Sequence, residues 1–208
     1  MKLAKASLPY MQGAAAAFAA ACLAWLITGH PLLLLLTAGA FLALLSFAYF
    51  FRDPERSRPA DPSLVIAPAD GRVMKIHRAG KTNVVEIFLA VWNVHVQRAP
   101  VSGKVVSRRY RRGAYLAAFN PLAGERNARC DTVFRCAKGN VGAAQIAGAI
   151  ARKVECWLKP GSAVRQGERM GIIHFGSQVR VTLPRNARVL VKPGHVVAGG
   201  ITPIAKWR

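Results

Sequence analysis

Residues 159–167 read KPGSAVRQG, and residues 192–200 read KPGHVVAGG. The shared frame is Lys159-Pro160-Gly161-x-x-Val164-x-x-Gly167 against Lys192-Pro193-Gly194-x-x-Val197-x-x-Gly200. In each, proline fixes φ, glycine permits a positive φ, and a β-branched residue then starts a strand. A second near-repeat lies upstream: Ala67-Pro68-x-x-Gly71-Arg72-Val73 against Ala99-Pro100-x-x-Gly103-Lys104-Val105. Around these turns the chain is valine-rich in short runs, at 64–66, 72–77, 83–91, 94–98, 103–110, 132–136, 153–158, 171–175, 178–183 and 188–192. Such runs between Gly/Pro signals predict strands. Residues 140–151, NVGAAQIAGAIA, are small and apolar and fit helix or strand equally.

Two quasi-equivalent halves predict a mainly β domain over 64–208, a flattened β-barrel or sandwich of the lipoyl/biotinyl kind with two pseudo-repeats. What precedes it differs in kind. Residues 13–29 and 31–51 carry no charge, and the second run has the length of a membrane span. His30-Pro31 breaks the helix between them. Lys2 and Lys5 lie before the pair, and Arg52, Arg56 and Arg58 after it. Positive charge at both ends predicts a transmembrane helical hairpin, 1–52, with both ends cytoplasmic. A signal peptide would leave the second apolar run unexplained. Residues 53–63, DPERSRPADPS, read as an extended linker.

The 208 residues hold 30 Lys and Arg against 9 Asp and Glu, a formal net charge of +21, which predicts an anionic partner. The anchor points to an anionic membrane surface rather than nucleic acid, as does the lack of interleaved aromatics. Arg108, Arg109, Arg111 and Arg112, in RRYRRG, form a candidate headgroup patch. Cys22, Cys130, Cys136 and Cys156 make no CxxC pair and stand near no histidine at ligand spacing, so no metal is expected.

Three short pieces carry candidate chemistry: Asp70 in APADGRV, His95 in WNVHVQRAPVSG and Ser177 in HFGSQV. An acid, an imidazole and a hydroxyl form an orienter, a base and a nucleophile if the fold gathers them. Spacing alone does not require this; Asp70 before Gly71 equally suits a turn. Beyond Gly176-Ser177 the strand alternates, with Val179, Val181 and Leu183 on one face and Gln178, Arg180 and Thr182 on the other.

The pieces FFRDPER (50–56), APADGRV (67–73), NVHVQRAPVSGKV (93–105), ERN (125–127), QIAGAIARKVECW (145–157) and GERMGIIHFGSQVRVTLP (167–184) run in one order. Over about two-thirds of the chain they resemble phosphatidylserine decarboxylase proenzymes of the short, membrane-anchored bacterial and archaeal type. The resemblance implies a carboxy-lyase that cuts itself between Gly176 and Ser177, giving a β chain, 1–176, and an α chain, 177–208. Ser177 would attack the Gly176 carbonyl, with His95 as base and Asp70 orienting it. Residue 177 would become a covalent pyruvoyl cofactor that forms a Schiff base with phosphatidylserine and releases CO₂ and phosphatidylethanolamine. It further implies α and β chains associated as a heterodimer, open to higher oligomers, with the catalytic domain on the cytoplasmic face of the cell (inner) membrane. Longer relatives carry a second histidine where this chain has Trp92. Trp92 is therefore read as lining the substrate site or dipping toward lipid. The rival readings are a non-enzymatic, membrane-anchored lipoyl-like adaptor and a biotin carrier modified at Lys75 in VMKI. Neither accounts for the FGS, NVHV and ADGRV contexts together.

Overall fold

The computed structural model describes residues 2–118, 120–150, 152–174 and 177–208, with the backbone alone at 177. Its contacts divide into a unit ending at Pro54 and a unit Glu55–Arg208.

The first unit is two helices, α1 (Leu8–Thr28) and α2 (Pro31–Phe50). At 1.5 Å per residue each spans about 30 Å, the thickness of a bilayer's hydrocarbon core. Gly29, at φ 65°, closes α1, with its N–H donating to the Trp25 carbonyl. His30 caps α2 by accepting from the Leu32 N–H, and Pro31 takes the first helical position, where no N–H is needed. The helices pack antiparallel, with Phe18 and Phe41 rings 5.6 Å apart and Tyr10 and Phe47 rings 5.7 Å apart. Most of their other apolar side chains are exposed or only half-buried, and both helices are long and apolar enough to cross a membrane.

The second unit is mainly β. Its strands are β1 (Leu64–Ile66), β2 (Gly71–Ala79), β3 (Thr82–Leu89), β4 (Val96–Arg98), β5 (Gly103–Arg111), β6 (Arg129–Cys136), β7 (Gly139–Ile146), β8 (Val154–Cys156), β9 (Ala163–Val164), β10 (Arg169–Ile173), β11 (Ser177–Pro184), β12 (Ala187–Val189), β13 (Val196–Val197) and β14 (Pro203–Trp207). One helical turn, α3 (Ala123–Arg126), precedes β6. The strands pair antiparallel in three sheets, ordered β1-β14-β12, β4-β10-β8 and β13-β2-β3-β11-β7-β6-β5-β9. Val65, Val73, Phe134, Met170, Val181 and Ile204 bring all three sheets into one apolar core. Of the ambiguous segment 140–151, residues 140–146 belong to β7 and 147–150 to the loop after it, and 151 lies outside the described residues.

The near-repeats occupy matching places. The Gly161 N–H donates to the Val105 carbonyl at 2.7 Å, and the Gly194 N–H to the Val73 carbonyl at 2.8 Å. Val164 pairs with Gly103 and Val197 with Gly71, so β9 and β13 close the two edges of the long sheet. The match extends inward. β2 and β5 both run nine residues from a glycine, with a register shift after Val73 and after Val105. The β3–β11 ladder then mirrors β6–β7, and Val181 faces Ala143 where the two halves meet. In one half the paired strands are joined by the two-residue turn Ala137-Lys138. In the other half the same place lies between Leu89 and Ser177, and strands β4 to β10 run between them in sequence.

Candidate active site

Ser177 is the first residue of β11, and its backbone pairs with Leu89 at the end of β3. Its neighbour Gln178 pairs with Ile146 at the end of β7. β10 ends at Ile173 in a different sheet, so the chain changes sheets between 173 and 177. This is why an apolar strand and an alternating strand meet at Gly-Ser: each belongs to its own sheet. Phe175, Gly176 and the Ser177 side chain lie outside the described residues, and so does the Gly176–Ser177 bond.

The backbone leading to that bond is bracketed. The Ile173 N–H donates to the His95 carbonyl at 3.3 Å, and the His174 N–H to the Lys153 carbonyl at 3.0 Å. His95, just before β4, is fully buried. Its Nδ1 lies 2.9 Å from the Asn93 carbonyl oxygen. A carbonyl only accepts, so Nδ1 carries a proton, and in the neutral form of the ring the lone pair is on Nε2, the atom a general base uses. Asn93 is set in turn by a tight turn: its N–H donates to the Ala90 carbonyl, and its Oδ1 accepts from the Ala90 N–H, both at 2.9 Å.

Behind His95 runs a buried chain of amides. Gln97 Nε2 donates to the His95 carbonyl at 2.6 Å, and Gln145 Nε2 to Gln97 Oε1 at 2.8 Å and the Glu155 carbonyl at 3.2 Å. A Cβ at Gly171 would sit 2.1 Å from that Glu155 oxygen and 2.7 Å from Gln145 Nε2, so glycine makes room for the link. The chain ties β4, β7 and β8 together, fixing His95 against the end of β7 that β11 pairs with.

Asp70 lies in the turn before β2. Its Oδ2 accepts from Arg56 Nη2 and its Oδ1 from the Gly199 N–H, both at 2.8 Å, and Arg56 Nη1 completes a bidentate pair on Oδ1. Sequence reasoning made Asp70 the orienter of His95. In the structure Asp70 joins the polar segment after the helices, through Arg56, to the β13–β14 turn, and the Asn93 carbonyl accepts the hydrogen bond from His95 Nδ1. Arg56, Asn93, Gln97 and Gln145 were not singled out from the sequence. All four lie inside the motifs quoted above.

His174 is buried beside Glu155, with Nε2 3.2 Å from Oε1, and Lys153 Nζ contacts the same oxygen at 2.7 Å. Burial pushes the His174 pKa below its ordinary value, and the Lys153 ammonium adds to this against the pull of Glu155. Burial works to raise the Glu155 pKa, but Lys153 and the Trp157 indole N–H outweigh it and hold the carboxyl below its ordinary value.

The remaining candidates separate. Trp92 is 66% exposed at the tip of the 90–93 turn, and the neighbouring Val91 is 47% exposed. The four arginines do not form one face, because β5 alternates. Arg108 donates to the Cys156 and Leu158 carbonyls, and Arg111 pairs with Asp131 at 2.8 Å. Arg109 and Arg112 are exposed. On β11, Gln178, Arg180 and Thr182 line a cavity of about 720 Å³ that also holds Glu86, the Arg180 ion-pair partner.

The family model for phosphatidylserine decarboxylase matches residues 44–205. A phosphatidylserine decarboxylase proenzyme of Pelodictyon phaeoclathratiforme is 40% identical over 178 residues, covering 83% of this chain and 83% of that protein. Proteins of the same name from Desulfotalea psychrophila and Symbiobacterium thermophilum are 40% and 41% identical, covering 78% and 81% of this chain and 81% and 83% of theirs. This extent of likeness places the chain in the phosphatidylserine decarboxylase family.

Proposed function

We infer that the chain is a carboxy-lyase converting phosphatidylserine to phosphatidylethanolamine and CO₂, and that it matures by cutting itself between Gly176 and Ser177. The observation that carries the self-cutting step is the placement of His95, whose carbonyl holds residue 173 and whose Nδ1 donates to the Asn93 carbonyl, which leaves Nε2 as the basic atom whenever the ring is neutral. Serine is a poor nucleophile at neutral pH without such a base. The Ser177 hydroxyl gives its proton to His95 as its oxygen bonds the Gly176 carbonyl carbon. The peptide C–N bond breaks, and the ester that forms frees the Ser177 nitrogen. Loss of the residue 177 α-proton then expels Gly176 as a carboxylate, and water replaces the nitrogen of the dehydroalanine as ammonia leaves.

The residues present fit a pyruvoyl group at position 177. That position heads a strand anchored by Leu89, and the buried Gln145 Oε1, on the strand that β11 pairs with, has no hydrogen-bond partner among the described residues. When bound, a pyruvoyl group supplies an electron-withdrawing ketone against which an amino acid carboxylate is lost as CO₂. His95 would be the residue to hold the proton that returns to the substrate carbon.

The finer points belong to the same proposal. The lipoyl/biotinyl-like pseudo-repeat domain would end in a 32-residue α chain, 177–208, held non-covalently by β chain 1–176. The hairpin 1–52 and linker 53–63 would anchor it to the cytoplasmic face of the cell membrane. Denaturing electrophoresis and mass measurement of the purified protein test the reading. It requires a small fragment beginning at residue 177 with a blocked terminus, and both cleavage and decarboxylation lost in Ser177→Ala. An intact chain without activity on phosphatidylserine sinks it and favours the adaptor.

A further inference from the structure

We propose that the β domain carries its own membrane-contacting rim, built from the loops around position 177 and fitted to an anionic bilayer surface. The proposal rests on the lipid substrate inferred above. Topology gathers the loops: Leu89, Ser177, Ile146, Arg129 and Arg111 lie in paired register at one end of the long sheet. The described residues leaving that end are 90–95, 147–150 with 152–153, and 112–118 with 120–122. Hydrogen bonds and a ring contact join them to each other and to the site. His95 and Lys153 grip residues 173 and 174. Asn127 Nδ2 donates to the Leu116 and Ala147 carbonyls, both at 2.8 Å, and the Arg152 guanidinium lies 5.8 Å from the Tyr115 ring centre.

The tips of these loops are the wrong chemistry for water. Ile150 is 72% exposed, Trp92 66%, Val91 47% and Tyr115 44%. The tight turn 90–93 holds Val91 and Trp92 outward, so their exposure is built in rather than incidental. Beside them stand exposed basic residues, Arg112, Arg152 and Lys153. Aromatic and aliphatic tips with cations among them suit the headgroup layer, where rings sit at the interface and cations meet anionic lipid. The substrate supplies the need. Its reacting carboxylate and amine lie in a headgroup layer only about 5–8 Å deep, so position 177 must reach the bilayer surface itself.

The test uses the full-length chain in vesicles. In a Cys22→Ser/Cys136→Ser background, which leaves only the two buried cysteines, Ile150→Cys is labelled with an environment-sensitive fluorophore. Lys81→Cys is the control, in the β2–β3 turn at the far end of the same sheet, about 25 Å away along β3. The vesicles contain phosphatidylcholine, phosphatidylglycerol and a lipid-borne quencher. The expected result is quenching at position 150 about threefold or more above that at position 81, falling when phosphatidylglycerol is omitted. Equal quenching at the two positions, weak or strong, overturns the rim. Quenching at 150 that is indifferent to phosphatidylglycerol overturns its fit to an anionic surface. Decarboxylation by the same labelled proteins, in parallel vesicles that also contain phosphatidylserine, reports separately on the enzyme reading.

Discussion

Nδ1 of His95 donates to the carbonyl oxygen of Asn93, two residues earlier, across 2.9 Å. The bond fixes the ring's tautomer through the backbone, and the Asn93 side chain fixes that backbone through Ala90. His95→Ala removes the base and should slow self-cleavage by about 10²–10⁴-fold, the usual contribution of a positioned acid or base. Asn93→Ala keeps the carbonyl but loosens its turn, and about a tenfold slowing is expected. Time courses of fragment appearance after synthesis in a cell-free system check both. Equal, complete loss in the two variants would point to misfolding, which circular dichroism detects.

Asp70→Asn leaves the Arg56 guanidinium, whose side chain is only 9% exposed, without its bidentate partner. Breaking a pair of this burial should cost about 3 kcal/mol. Asp70→Asn/Arg56→Met should recover part of the loss, because the stranded charge is gone. Denaturant titration of these two variants, of Arg56→Met alone and of the parent measures the coupling. A block to cleavage in Asp70→Asn with full stability would instead put Asp70 in the chemistry.

Gly71 and Gly103 stand at φ 148° and 159°, and a Cβ on them would lie 1.9 Å from the Phe88 carbonyl oxygen and 2.2 Å from that of Arg135. Alanine at either position must push two paired strands apart. Each substitution should destabilise the β domain by about 2–4 kcal/mol, and by similar amounts. Thermal melts of the two variants compare the halves directly. A large loss in one and none in the other would deny that they are equivalent.

His174 should make stability depend on pH. Its pKa in the folded protein is lowered from 6.5, so the unfolded chain takes up the proton first. Stability is then full above pH 6.5 and falls as the pH drops below it, through the folded-state value. The lowered Glu155 acts in the same direction but in a more acid window, below its ordinary value of 4.5. Melting temperatures measured between these windows should fall with pH in the parent and stay flatter in His174→Gln.

The turns were legible in the sequence because glycine and proline announce them. Gly161, Gly167, Gly194 and Gly200, all at positive φ, sit where the KPG repeats require. The same repeats marked the strand residues Val164 and Val197 of β9 and β13, but β14, five residues led by proline, was not among the expected runs. At the candidate site, the residue types were readable but their partners were not. Asp70 looked like an orienter because nothing in a sequence marks Arg56, 14 residues away in a polar stretch, as its counter-ion. Asn93 acts on His95 through a carbonyl, a group every residue has, so no side-chain pattern reveals it.

β11 is hydrogen-bonded along both edges, to β3 over eight residue pairs and to β7 over five. A cut before Ser177 would therefore leave the short chain woven into the sheet rather than attached to it at a margin. Its twin position, the Ala137-Lys138 turn, keeps the same strand geometry with an unbroken chain. The protein would thus carry an intact copy of the joint that the proposed cut removes. The strand ladder, not the lost peptide bond, would keep the two fragments one molecule.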